Sequence, residues 1–65
     1  MAVIINGEEV EAAGKLLSDY LNETGYDIQR IAVELNGDII PKSQYASTYL
    51  RDGDRVEIVR FVGGG

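Results

Sequence analysis

Neither cysteine nor histidine occurs anywhere in the 65 residues. Their absence removes disulfides, thiolate nucleophiles, zinc sites of the usual kinds and the imidazole base on which most hydrolytic mechanisms rely. Chemistry built from this chain alone has only carboxylates, two lysines and four tyrosines to work with. No apolar run approaches the length of a membrane span, and the opening MAVIIN is too short for a signal peptide and lacks a basic flank. A cytoplasmic protein is the expectation. Eleven acidic residues against six basic ones give a net charge of −5. That sign repels nucleic acid backbones and anionic membrane surfaces, and it favours basic protein partners or none.

What is present is a small globular chain with an apolar fraction of 45%. A chain of this length makes one domain and buries only about 60% of its unfolded surface. It has no room for a catalytic cleft of ordinary size, and it is expected to fold alone with a modest margin.

Residues Ala2 to Asn6 are rich in β-branched side chains, Asn6-Gly7 is a strong hairpin signal, and Glu8 to Ala12 reads as the returning strand with Val10 inward. Glu8, Glu9 and Glu11 read as its exposed face. Gly14 ends this strand. Leu16, Leu17, Tyr20 and Leu21 then recur at helical spacing, predicting a helix over Leu16 to Thr24 that stops at Gly25. No Ser, Thr, Asp or Asn directly precedes its apolar stripe, so a side-chain cap is not expected. Tyr26 is expected to close the helix end by packing.

Ile31, Val33 and Leu35 alternate along a further strand, Asn36-Gly37 turns it into a short return over Asp38 to Ile40, and Pro41 closes the run. In KSQYASTYL the spacing of Tyr45, Tyr49 and Leu50 predicts a one- or two-turn helix capped by Ser43. RDGD marks the turn into a last strand, Arg55 to Val62. This order fits an α+β fold of the β-grasp (ubiquitin-like) type: a mixed sheet with one main helix packed across one face. In that topology the last strand pairs in parallel beside the first, in the middle of the sheet, where Val and Ile belong. The domain is expected over 1–62, with 63–65 as a flexible glycine tail.

Along the last strand Val56, Ile58, Arg60 and Val62 share one parity, and Arg55, Glu57, Val59 and Phe61 the other. Val56 and Ile58 face the helix, which puts Val59 and Phe61 on the solvent side with Glu57. Two readings of that apolar pair stay open. A bulge or the Tyr45 to Leu50 segment covers it, or it docks a partner protein together with Val62 and Gly63.

Asp52, Asp54 and Glu57 fall far short of a cation-binding loop pattern and read as solvated turn acids. Tyr20, Tyr45 and Tyr49 read as packed rings with their hydroxyls at the surface. The closing Gly63, Gly64 and Gly65 are open to two readings, inert fray or an arm whose terminal carboxylate is the working group. Glycine lacks Cβ, so such an arm threads a narrow channel in another protein and is attacked at its end with little hindrance.

The glycine ending, LNGDIIP at residues 35–41, DGD at 52–54 and the overall length together resemble the ThiS family of sulfur carriers in thiamin thiazole biosynthesis. The resemblance spans the whole chain. It implies a β-grasp fold related to ubiquitin and to the MoaD carrier of molybdenum cofactor synthesis. It further implies a protein substrate rather than an enzyme, with Gly65 as the reacting residue and Gly64 as its flexible neighbour. The chain itself binds no cofactor. ATP is used by an E1-like adenylating partner, ThiF, and the sulfur comes from a donor such as a cysteine desulfurase. Thiazole synthase, ThiG, accepts it from the terminal thiocarboxylate. A MoaD-like carrier and a ubiquitin-like protein modifier share the tail chemistry and are the alternatives, beside a binding module with an incidental tail.

Overall fold

The computed structural model describes residues 2–62; the expected tail, Gly63 to Gly65, lies outside the described residues. Five strands, β1 (Val3–Ile5), β2 (Glu8–Val10), β3 (Ile31–Leu35), β4 (Asp38–Ile40) and β5 (Arg55–Arg60), form one sheet in the order β2-β1-β5-β3-β4. β1 and β5 run parallel and every other neighbouring pair is antiparallel. The last strand therefore occupies the middle of a mixed sheet, as its Val and Ile content predicts. The one α-helix among the described residues, α1 (Leu17–Glu23), supplies Leu17, Tyr20 and Leu21 to the core, where they meet Val3, Ile5, Ile31, Val33, Val56 and Ile58 from the sheet.

The helix ends depart slightly from the expected Leu16 to Thr24. Leu16 is the extended residue before the first turn and caps nothing with its side chain, and Thr24 follows the last turn. Gly25, at φ 81°, then lets the amide of Tyr26 reach back to the Leu21 carbonyl at 3.0 Å. This is the left-handed stop expected at that glycine. The Tyr26 ring packs against the core and lies 4.5 Å from the guanidinium of Arg60.

Two further expectations are corrected. The returning strand stops at Val10 rather than Ala12, because the Ala12 amide turns back to the Val10 carbonyl and the alanine itself enters the core. Ser43 caps no helix: the segment Lys42–Ser47 is a 3-10 turn preceded by Pro41, with no side-chain cap. Pro41 has the fixed φ suited to entering such a turn and makes the serine cap unnecessary. The rings of Tyr20 and Tyr45 pack as expected, both belonging to the core, with Tyr45 only 2% exposed. Burial raises the Tyr45 pKa, opposed by a backbone hydrogen bond at Val33. Burial likewise raises that of Tyr20, helped by nearby Tyr26 and Glu8 and opposed by a side-chain hydrogen bond with Thr24. Tyr49 does lie at the surface, forming an isolated bridge with Leu16, while Leu50 is buried.

Both Asn-Gly turns do more than reverse the chain. Asn6 and Asn36 sit at φ 50° and 52°, a left-handed conformation that asparagine tolerates better than most residues. Each then extends a ladder on to β5 where its own strand has turned away. The Asn6 amide donates to the Val56 carbonyl at 2.9 Å while its Oδ1 accepts from the Ile58 amide at 2.8 Å. The Asn36 amide donates to the Arg55 carbonyl at 2.7 Å while its Oδ1 accepts from the Arg55 amide at 2.9 Å. The central strand is thus satisfied by side chains where strand pairing stops. Asn6→Gly keeps the turn conformation and removes the acceptor for Ile58, so it is expected to cost about 1 kcal/mol of unfolding free energy. Urea unfolding checks this, with Asn6→Asp, which retains Oδ1, closer to the parent.

Candidate functional site

The helix and the Lys42–Ser47 turn cover one face of the sheet and leave the other open. The register places Ala32 opposite Val59, Glu34 opposite Glu57 and Ile39 opposite Glu34. Residues that pair across a ladder point to the same side. The open face therefore carries Ile39, Glu34 and Glu57 in one row and Ala32 and Val59 in the next, and Phe61 follows Val59 at the same parity. Val59 is 54% exposed, Phe61 55% and Ile39 72%.

Among the described residues, neither a bulge nor the Tyr45 to Leu50 segment covers Val59 and Phe61. β5 pairs with β3 without interruption from Val56 to Arg60, so no bulge shifts Val59 off the Glu57 side. The Tyr45 to Leu50 segment sends Tyr45 and Leu50 into the core on the opposite face. The pair is exposed among the described residues. The strand itself stops at Arg60, two residues earlier than Val62, although the Phe61 amide still donates to the Arg30 carbonyl at 2.8 Å. Val62 is 89% exposed. Of the expected site residues, Val59, Phe61 and Val62 thus gather where the chain leaves the sheet; Gly63, Gly64 and Gly65 lie outside the described residues.

Beside this exit is a hollow of about 180 Å³ bordered by Arg30, Arg60, Phe61 and Val62. It is smaller than the few hundred Å³ typical of small-molecule sites. Arg30 Nε lies 3.6 Å from Asp27 Oδ2 in an exposed pair of little energetic weight. Arg60 is held over the Tyr26 ring, a cation–π contact of about 0.5–1 kcal/mol at an exposed position. The exit is therefore bordered by two guanidinium groups in a chain that is acidic overall.

A second, wider depression lies by Asn36, Tyr49, Arg51 and Asp54. Its polar groups are engaged with one another: Asn36 Nδ2 donates to Asp54 Oδ1 at 3.0 Å and the Arg51 amide donates to Asp54 Oδ2 at 2.8 Å. Asp54 is accordingly a turn latch rather than a free acid. Asp52 is exposed in the turn and Glu57 stands on the open face, and no group of three potential metal ligands is found among the described residues. No helix among them is long and apolar enough to cross a membrane.

Sequence reasoning missed Ile39 as part of the exposed face, though a signal existed. A two-residue Asn-Gly turn pairs Leu35 with Asp38 and hence Glu34 with Ile39, and Glu34 has the parity opposite to the apolar Ile31, Val33 and Leu35.

The sequence model of the ThiS family matches residues 3–65. The sulfur carrier protein ThiS of Thermus thermophilus is 38% identical over 97% of this chain and 98% of its own length. A thiazole synthase of Paramagnetospirillum magneticum is 47% identical over the whole chain, which spans only 20% of that protein's length. Among solved structures, the crystal structure of a thiamine biosynthesis protein (ThiS) from Geobacter metallireducens superimposes with a TM-score of 0.78 at 32% identity, covering all of both chains.

Proposed function

Because the chain belongs to the ThiS family, we propose that it is a sulfur carrier of thiamin (thiazole) biosynthesis, a protein substrate whose Gly65 carboxylate carries the sulfur. Residues 1–62 form the β-grasp body and 63–65 the arm. The observation that supports this reading most is the clustering of Val59, Phe61 and Val62, exposed among the described residues, just before a three-glycine ending.

A carboxylate resists nucleophilic attack because its charge is delocalised over both oxygens. An adenylating partner of the ThiF type overcomes this with ATP: a carboxylate oxygen attacks the α-phosphorus, pyrophosphate leaves, and the Gly65 carbonyl becomes part of a mixed anhydride. The outer sulfur of a donor persulfide, such as that of a cysteine desulfurase, then displaces AMP to give an acyl disulfide, and a thiol reductant cleaves its S–S bond, leaving a thiocarboxylate that passes its sulfur to thiazole synthase. Every catalytic group belongs to a partner, consistent with a chain that has neither cysteine nor histidine. The 47% identity to a protein named thiazole synthase supports that last partnership. A carrier of this kind works in the cytoplasm, beside its partners.

The first step is tested by ATP–pyrophosphate exchange with a purified ThiF-type protein. Exchange that depends on this chain is the expected result. Conjugates of the chain to lysines of other proteins, without any thiocarboxylate, would support a ubiquitin-like modifier instead.

A further inference from the structure

Glu34 and Glu57 stand directly opposite each other on neighbouring strands, inside the apolar patch of the open face. Ile39 flanks the pair on one side, and Ala32 and Val59 form the next row. Like charges directly opposite in a sheet destabilise it. Nothing described in the chain relieves them: the ion pairs among the described residues are Lys15 with Glu23 and Arg30 with Asp27. Arg55 shares this face two residues before Glu57, yet it makes no ion pair with either carboxylate among the described residues.

Such a pair is tolerable while both carboxylates are in water. Once a partner covers Val59, Phe61 and Ile39, the same contact removes water from Glu34 and Glu57. Burying two neighbouring carboxylates without an opposite charge is strongly unfavourable. Whatever covers this face must therefore bring the cation. A second copy of this chain does not suit, because each copy brings the two carboxylates but only one guanidinium, Arg55, to this part of the face, so a face-to-face pairing leaves acid in excess. Charge complementarity instead selects a protein surface that is apolar and carries a guanidinium or ammonium group at its centre.

We propose that the Glu34–Glu57 pair is the charge-recognition element of the open sheet face, and that the adenylating partner docks there with a basic side chain set between the two carboxylates. This rests on the carrier reading above. Flanking apolar contacts supply the burial, and the acid pair rejects neutral or acidic surfaces of similar shape.

The test compares the parent with the double variant Glu34→Gln/Glu57→Gln, using a purified ThiF-type protein and ATP. Adenylate formation is followed while the carrier concentration is varied at low and high salt. The double variant is expected to raise KM by about tenfold, with the effect on KM rather than kcat, and to lose most of the salt dependence shown by the parent. Its urea midpoint is expected to be equal to or above that of the parent, since a repulsive pair has been removed. An unchanged KM overturns the inference while leaving the carrier reading intact, and so does a lowered urea midpoint, which would mark the pair as structural. An unchanged KM accompanied by self-association of the double variant also overturns it, showing that the acids act only to keep copies apart. If the parent itself forms no adenylate, the carrier reading fails and the inference falls with it.

Discussion

Deletion of Gly65 is expected to abolish adenylation by the activating partner while leaving the urea and thermal unfolding of the domain unchanged. The two halves of that result have separate physical causes. Removing one residue moves the terminal carboxylate back by up to about 3.5 Å. In-line attack on a phosphorus held in another protein's site requires the reacting atoms to lie about 3–3.5 Å apart. A shift of that size therefore removes productive geometry rather than weakening it, and a loss of at least about 100-fold is expected. Stability is spared because the core is drawn from Val3 to Ile58, seven positions before the deletion. A measurable loss of unfolding free energy on deletion would show that the last glycine is bound to the body of the domain.

The second large effect separates the two faces of the sheet. Leu21, on the inner face of α1, is fully buried and belongs to the core. Its replacement by alanine removes three carbons and leaves a cavity, at a cost of about 2–5 kcal/mol. A domain of this size rarely has more than about 3–5 kcal/mol to lose. Leu21→Ala is thus expected to leave a large unfolded fraction at room temperature, read directly as lost helical circular dichroism. Phe61→Ala removes a larger side chain, but one that is 55% exposed, outside the core and beyond the end of β5. It is expected to change the urea midpoint little and to weaken capture by the adenylating partner by about tenfold or more, the behaviour of an aromatic anchor at an interface. Loss of stability in Phe61→Ala with unchanged capture would place Phe61 in the core and remove the docking face.

The contrast between these residues also shows which features were legible before the fold was seen. Alternation along RVEIVRFV was enough to place Val56 and Ile58 inward and Val59 and Phe61 outward, because strand parity is rigid and the helix covers only one face. Gly25 as a helix stop and the two Asn-Gly turns followed from backbone conformations that few residues adopt. What stayed hidden depended on contacts distant in sequence. Asn6 reaches Ile58 across 52 positions, so its role as an acceptor for the central strand has no local signature. The Lys42 ammonium donates to the Ile31 carbonyl at 2.8 Å, tying the 3-10 turn to β3, and nothing in KSQY announces this. Tyr45 read as a packed ring, but nothing in its polar neighbours announced that a short 3-10 turn would bury it in the core.

The site divides in the same way. Val59 and Phe61 were readable from parity, whereas Ile39 needed the register of the Asn36-Gly37 turn and was missed. The charge pattern of the site was not readable, because the opposition of Glu34 and Glu57 exists only once β3 and β5 are paired in register. The glycine ending has no side chains to read, and its meaning comes from the strand that precedes it and from the family to which the chain belongs.

The most direct test of the carrier reading is the intact mass of the chain after incubation with a ThiF-type protein, ATP, a cysteine desulfurase and cysteine. The account predicts a mass increase equal to replacement of one oxygen by sulfur, dependent on ATP and located by fragmentation at Gly65. An unmodified mass under conditions in which the same partners convert an established ThiS, or a sulfur atom located anywhere other than Gly65, would contradict it.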